Sequence, residues 1–562
     1  MKRFRIAVLA PVMIGFAGCG LTDLDVPNEN NPDRKAVLDR AQDIENVIGG
    51  AMLTWWEGTE HAGSPSWALS TAADEGTMSW GNFGMQQLSS EPRAAWPNEP
   101  SFTYSFTTES AWYGSYGALS SIHDGVNAIA NDPDAAAEID VDRATAFAKL
   151  VQGMSHGFLA LMYDSAFTLE ETVNIETDVL ALKPYTEVYA LAVAELEDAI
   201  AIATAPGVSF TLPATWFDNN ALTNQQLAQL AHSYLARLMT QVARTPADRD
   251  AVDWPTVMNH VDAGITSDVL AQGTGRFTRF FKALEWYGYQ TGSTTWARAD
   301  YKTIGWTDTS GGFATWLATP AAQRTEFLVS TADARITLSG DPQMDGTDFK
   351  YQGPSRFPEA RGTYHYSLYG GKRFATYPPS DATLPARWMT TVEMQLIKAE
   401  GLLRTAGPSQ AVADIINATR ETRGQLPPAL ATETEAALMD KLIYEKRIET
   451  YLLCSGCSYF DRRGFGPLAA TGPSFHHGLV QGTPLHFAPP GSELEVLQKP
   501  LYSYGGAGGE GTSLAPSPPG PQLVAAAGVG VPAAHVYRSP AERVQRSAIS
   551  PGAAALSTMR VH

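Results

Sequence analysis

Residues 393–463 open with EMQLIKAEGLLRTAGPSQAVADIINATRETRG and close with LIYEKRIETYLLCSGCSYFDRR, with a Pro/Ala-rich linker between. Val392, Leu396, Ala399 and Leu403 recur at the spacing of one helical face. Gly407 stops that helix, Pro408 bars its continuation, and Ser409 offers a cap for the next. Val412, Ile415, Ile416 and Thr419 give the second helix an inward stripe, and Gly424 follows its end. Two short helices joined by a tight turn make an αα-hairpin, the unit of a helical repeat. Thr432 and Glu435 have capping-box spacing for a third helix, with Leu438, Leu442, Ile443 and Ile448 inward.

Working towards the N-terminus, the same period recurs. Helices are expected over residues 36–56, 110–129, 143–163, 185–202, 223–242 and 257–269. The third is rich in small residues (Ala146, Ala148, Gly153, Gly157) that permit close helix contact. The fifth is the cleanest, with Leu227, Leu230, Ala231, Tyr234, Leu235, Leu238, Met239 and Val242 in register. Helices of this length in succession suggest tetratricopeptide-like pairs, although no repeat consensus is present. The fold class read here is mostly α: a helical-pair scaffold carrying a loop-rich, aromatic-rich irregular lobe.

That lobe is residues 276–388, where helical periodicity fails and Gly, Pro, Thr, Ser and aromatics dominate. It holds Trp286, Tyr287, Tyr289 and Trp296, then Tyr301, Trp306, Phe313 and Trp316, then Tyr351, Phe357, Tyr364, Tyr366 and Tyr369. Asp74 to Phe83 has the same character and contains Trp80. Long irregular segments inside a compact protein are usually functional. Aromatic rings there offer flat apolar surface with little entropy to lose, on which the CH faces of a sugar can stack. Taken singly, most of these rings are expected to pack the lobe onto the helices; as a set, two or three are expected to be exposed.

The order and spacing of several pieces in residues 393–463 resemble the SusD/RagB family of outer-membrane nutrient-uptake lipoproteins. These pieces are Glu393, Leu396-Ile397-Lys398-Ala399-Glu400, Arg404, Ile416-Asn417 with Arg420, and Arg423-Gly424. Glu445, Arg447 and Glu449 follow at alternate positions, then Phe460-Asp461-Arg462-Arg463. The chain departs from the family at Leu453 to Ser458, where an acidic-Gly-aromatic or acidic-Gly-basic element is usual. Phe487-Ala488-Pro489-Pro490 with Glu493-Leu494, then Tyr502 and Tyr504, resembles the family's closing segment.

The resemblance implies a lipid-anchored protein of the outer membrane, exposed at the cell surface. It would bind a nutrient, foremost a glycan, and deliver it to a TonB-dependent (SusC-like) transporter. Two other readings are a peptide- or protein-binding lipoprotein of the same fold and, more distantly, an exported glycan hydrolase. In the family, loops at the positions of residues 74–83 and 276–388 help form the ligand face. The expected ligand-binding residues are therefore Trp80, Trp286, Tyr287, Tyr289 and Trp296, with Asp74, Asn82 and Gln290 supplying hydrogen bonds.

The N-terminus fits export. Lys2, Arg3 and Arg5 precede an apolar run, Ile6 to Phe16, too short to span a bilayer. Phe16-Ala17-Gly18-Cys19 then reads as a lipobox, with cleavage after residue 18 and lipidation of Cys19. Residues 19–34 read as a tether, 35–275 as the N-terminal part of the scaffold, and 389–506 as its C-terminal core and closing segment. From residue 507 the composition turns to Ala, Pro, Gly, Ser and Arg, which reads as a disordered or frame-shifted tail.

Other chemistries fare poorly. The chain has 562 residues and a formal net charge of −19, which argues against a phosphate-binding, nucleic-acid surface. Carboxylate pairs such as Asp74/Glu75 and Asp140/Asp142 do not by themselves place two acids around a glycosidic bond. His476, His477 and His486 lie near Cys454 and Cys457, but their spacing matches no standard zinc site. For the two cysteines of an exported chain, a disulfide or a pair of free thiols is expected. No catalytic set, cofactor or metal is expected. Glu400, Arg404, Arg420, Glu449, Arg462 and Arg463 read as structural ion pairs between helices.

Overall fold

A computed structural model of the chain describes residues 38, 40–78, 82–175, 177–271, 280–284, 287–288, 297–354, 367–373, 385–468 and 477–506. The lipobox with Cys19, the tether, Trp80, Trp286, Tyr289, Gln290, Trp296, Phe357, Tyr364, Tyr366, His476 and the tail from residue 507 lie outside them.

The helical periodicity of the sequence is realised as a stack of antiparallel pairs. Helix α1 (Ala41–Thr59) packs on α2 (Phe106–Asn131), and α3 (Val141–Met162) packs on α4 (Tyr185–Ala203). Next come α5 (Asn224–Gln241) with α6 (Trp254–Asp262), and then α7 (Thr391–Ala406) with α8 (Gln410–Arg420). Helix α9 (Glu435–Glu449) lies across α7 and α8, and α10 (Cys457–Arg463) runs back towards α5. The stack is continuous in space although α6 and α7 are separated in sequence by the whole irregular lobe.

Local chemistry sets the helix ends. Thr223 and Gln226 close a capping box on α5. The side chains of Asp140, Asp253, Thr390 and Ser409 accept from first-turn N–H groups of α3, α6, α7 and α8. Gly407, at φ +76°, ends α7 as its pattern requires. On α9 the cap is Thr434, which accepts from Ala437 N–H, and not Thr432 as the capping-box spacing suggested. The sixth helix also differs from expectation. It starts at Trp254, with Pro255 in its first turn, and stops at Asp262. Gly264 follows, and Val269–Ala271 is a strand.

Small residues bring the helices close. A Cβ placed on Gly114 of α2 would lie 2.6 Å from the Cα of Gly58 on α1. One placed on Gly153 of α3 would lie 2.5 Å from Leu196 Cγ on α4. The main core runs through these helices and includes Trp55, Trp56, Trp112, Trp388, Phe158 and Phe460.

Among the described residues eight short strands make four antiparallel ribbons. They are β1 (Gly76–Met78) with β5 (Ala297–Ala299), β2 (Ser165–Ala166) with β3 (Lys183–Pro184), β4 (Val269–Ala271) with β8 (Ala386–Met389), and β6 (Phe349–Tyr351) with β7 (Tyr369–Gly371). The β4–β8 ribbon joins the segment after α6 to the segment before α7, so the lobe leaves and re-enters the scaffold at one place. The lobe has its own core of Tyr287, Tyr301, Phe313, Trp316, Phe349 and Tyr369, shared with Tyr444, Ile448 and Tyr451 around α9.

Candidate functional site

The two aromatic loops of the sequence meet at one ribbon. Gly76 pairs with Ala299, Thr77 with Arg298 and Met78 with Ala297. The described end of the first loop, residue 78, is therefore directly opposite the described end of the second, residue 297.

Beneath this ribbon the side chains are packed and paired. Asp74 is fully buried, and Arg93 Nη2 at 2.9 Å and Lys302 Nζ at 3.1 Å reach its Oδ1. Burial works to raise Asp74, but the charges of Lys302, Arg93 and Arg462 outweigh it and hold the carboxyl down at about 2. Lys302 also meets Glu91 at 2.7 Å, as does Arg324. The Glu75 carboxylate accepts from Leu452 N–H at 3.0 Å, and burial pushes it up to about 7. Tyr287 is fully buried, and its hydroxyl donates to the Thr77 carbonyl at 3.1 Å. Asp74 and Tyr287 thus form the floor under the ribbon and present nothing to a ligand, which corrects the expectation for both. A tyrosine whose hydroxyl finds a carbonyl can be buried whole, and a buried aspartate is held by two cations.

Beside the ribbon the chemistry is different. Asn82 is half-buried, and its Oδ1 lies 3.4 Å from the Tyr104 hydroxyl. Phe83 takes the left-handed conformation at φ +57° and packs edge-on to Trp67 at 4.4 Å. From Phe83 a strip of half-buried rings continues: Phe106 at 5.9 Å, then Tyr104 at 6.2 Å from Phe106, then Phe102 at 5.6 Å from Tyr104. Phe102, Tyr104 and Phe106 are not among the residues that composition and periodicity singled out. The signal was present: aromatics at alternate positions with Thr and Ser between them, just ahead of a helix. Among the other described aromatics of the lobe, Tyr301, Phe313, Trp316 and Tyr369 are core residues, whereas Trp306 and Tyr351 are half-buried at its edge.

No protein-family model matches the chain, and no curated protein matches it. Among solved structures it is similar to a SusD superfamily protein from Parabacteroides distasonis, with a TM-score of 0.51, 13% identity, and coverage of 81% of this chain and 96% of that one. The chain has the SusD fold. Other similar structures are a SusD-like carbohydrate binding protein from Bacteroides vulgatus (14% identity, TM-score 0.48, 76% and 83% covered) and a SusD/RagB family protein from Bacteroides thetaiotaomicron (14%, 0.46, 75% and 86%).

In this SusD fold the conspicuous charges of residues 393–463 tie helices together. Arg249 forks onto Glu400 at 2.9 and 2.6 Å, and Arg404 and Lys446 complete the group. Arg335, from the lobe, meets Glu445 and Glu449 on α9, and Arg423 also pairs with Glu449. Arg420 approaches Glu445 at 3.6 Å. Arg463 behaves otherwise than expected: it donates to the backbone carbonyls of Leu161, Leu485 and Gln241, at 2.7, 2.7 and 2.9 Å. Arg462 does both: it lies 4.0 Å from the Asp74 carboxylate and donates to the carbonyls of Ala73 and Gly478.

Cys454 and Cys457 are joined in a disulfide. His477 bonds Asp440 at 2.8 Å, and His486 packs against Tyr504 at 4.1 Å. Among the described residues no group of three or more His, Cys, Asp or Glu side chains is placed to hold a metal ion. Nor is any described helix long and apolar enough to cross a membrane.

Proposed function

We propose that this chain is a surface-exposed outer-membrane lipoprotein, anchored through Cys19, that binds a glycan and passes it to a TonB-dependent, SusC-like transporter. It acts as a binder and not as an enzyme. The observation that carries the reading is the strip Phe83, Phe106, Tyr104 and Phe102 beside the ribbon from which both aromatic loops depart. Half-exposed rings in a row suit the alternating apolar faces of successive sugars, and Asn82 supplies an amide beside them. Trp80, Trp286, Tyr289, Trp296 and Gln290 are proposed to extend this face. The SusD fold and the lipobox at Cys19 support the same reading.

The test is glycan-array binding by the chain lacking residues 1–18, followed by calorimetry on the best ligand. Replacing Trp80, Trp286 and Trp296 together by Ala should abolish most of the affinity while the helical circular dichroism stays unchanged. Full retention of binding would put the site elsewhere. Binding to peptide libraries without any to glycans would favour a peptide carrier, and release of shorter products from a bound glycan would indicate a hydrolase.

A further inference from the structure

His232 on α5 and His260 in the last turn of α6 lie in the helical stack and have no part in the aromatic face. Their Nδ1 atoms are 2.8 Å apart. The ring centroids are 5.1 Å apart with planes inclined at 43°, and both residues are only partly buried. A contact between two ring nitrogens at this distance holds one hydrogen, so one ring donates from Nδ1 while the other accepts there. Both rings are kept neutral. Burial, helped by the His260 ring, pulls His232 down to about 4; burial also lowers His260, with Glu197 of α4 partly opposing it.

We propose that His232 and His260 form a chelating site for a late-transition-metal dication, Cu(II) above all, bound through both Nδ1 atoms with water completing the shell. Two imidazoles this close can converge on one ion once the hydrogen between them has moved. Imidazole nitrogen suits late first-row dications, and Cu(II) leads their general affinity order. On binding, the ring that carried hydrogen on Nδ1 carries it on Nε2 instead, exchanged through solvent, so no net proton is released. Each ring turns to bring its lone pair off the line between the nitrogens. The exposed Glu197 adds a negative field on the α4 side. Asp262, two residues after His260, is paired with Lys398 Nζ at 2.5 Å.

The test is Cu(II) titrated into the chain lacking residues 1–19, which removes the free thiol of Cys19, followed by calorimetry and electron paramagnetic resonance. The wild type should bind one more equivalent than the His232→Ala/His260→Ala double variant. Its spectrum should be tetragonal, with coupling to two imidazole nitrogens. Each single variant should weaken that site by at least about tenfold, and Zn(II) should bind more weakly than Cu(II). Circular dichroism of the metal-free proteins checks that the variants fold. Equal stoichiometry and affinity in wild type and double variant would overturn the proposal. So would a wild-type spectrum without the two-nitrogen coupling, a reading that needs no variant at all.

Discussion

Glu75 is the residue whose environment has the clearest thermodynamic signature. Its carboxyl moves from an ordinary 4.5 to about 7 on folding, chiefly through burial. The folded state therefore holds the proton more tightly than the unfolded chain. This contribution to stability is complete below pH 4.5 and is lost as pH rises to about 7. The gap corresponds to about 3 kcal/mol. Urea unfolding at pH 5 and pH 8 should show Glu75→Gln losing less stability than wild type over that interval, since Gln still accepts from Leu452 N–H. Parallel pH slopes in the two proteins would contradict the assignment. Close by in the fold, Tyr104 is half-exposed, and the described contacts of its side chain are with Phe102, Phe106 and Asn82. If the strip is the glycan face, Tyr104→Ala should weaken binding about tenfold, by analogy with stacking of bases on aromatic rings, and leave the melting temperature within a few degrees.

Helix packing makes its own demand on particular glycines. Gly50 and Gly114 sit in the adjacent helices α1 and α2, yet space around them differs. A Cβ at Gly50 meets nothing within 4 Å, whereas one at Gly114 meets the α1 backbone at 2.6 Å. Gly50→Ala should therefore stabilise by about 0.5–1 kcal/mol through helix propensity. Gly114→Ala should destabilise by about 1–3 kcal/mol, because neither helix can back away without opening the core. Denaturant midpoints measure both, and a shared sign would mean the helices approach differently from this structure. These helices were legible in the sequence because each carries several turns of period, and every turn repeats the same instruction. Three-residue strands carry no such repetition. Nothing in Gly76–Met78 or Ala297–Ala299 announces that they pair across some 220 positions, so the meeting of the two loops was not readable. The same lack of period hid the burial of Tyr287, since ring type alone does not separate a stacking surface from a core. Thr432 and Thr434 show a smaller ambiguity: both precede α9 within one turn, and the backbone chose the second.

The proposed role rests on the whole molecule being held at a membrane that none of its described helices can cross. On that proposal a separate channel carries the ligand through the bilayer. Cys19→Ser should abolish palmitate labelling in a host with lipoprotein maturation and release the protein from the membrane fraction. Wild-type protein that is unlabelled and free in the periplasm would argue against the anchor. Mild-detergent pull-down from a native membrane should recover a TonB-dependent barrel, and its repeated absence would favour a binder that works alone.

The interruption between α6 and α7 also governs how the chain must acquire its structure. Arg237 bonds Glu393, 156 positions downstream, and Arg249 bonds Glu400, 151 positions downstream. Both cations are buried, so during synthesis or secretion each waits for a carboxylate on α7 that emerges last among the scaffold pairs. Contacts of such long sequence separation are slow to form, and the earlier helices meanwhile expose an unfinished apolar edge. Assembly should accordingly be limited by the docking of α7 on α6. A fragment ending at residue 388 should bind a hydrophobic dye and aggregate, and adding a peptide of residues 389–463 in trans should suppress both. A fragment that is monomeric and melts cooperatively by itself would show that the stack completes without its last pair.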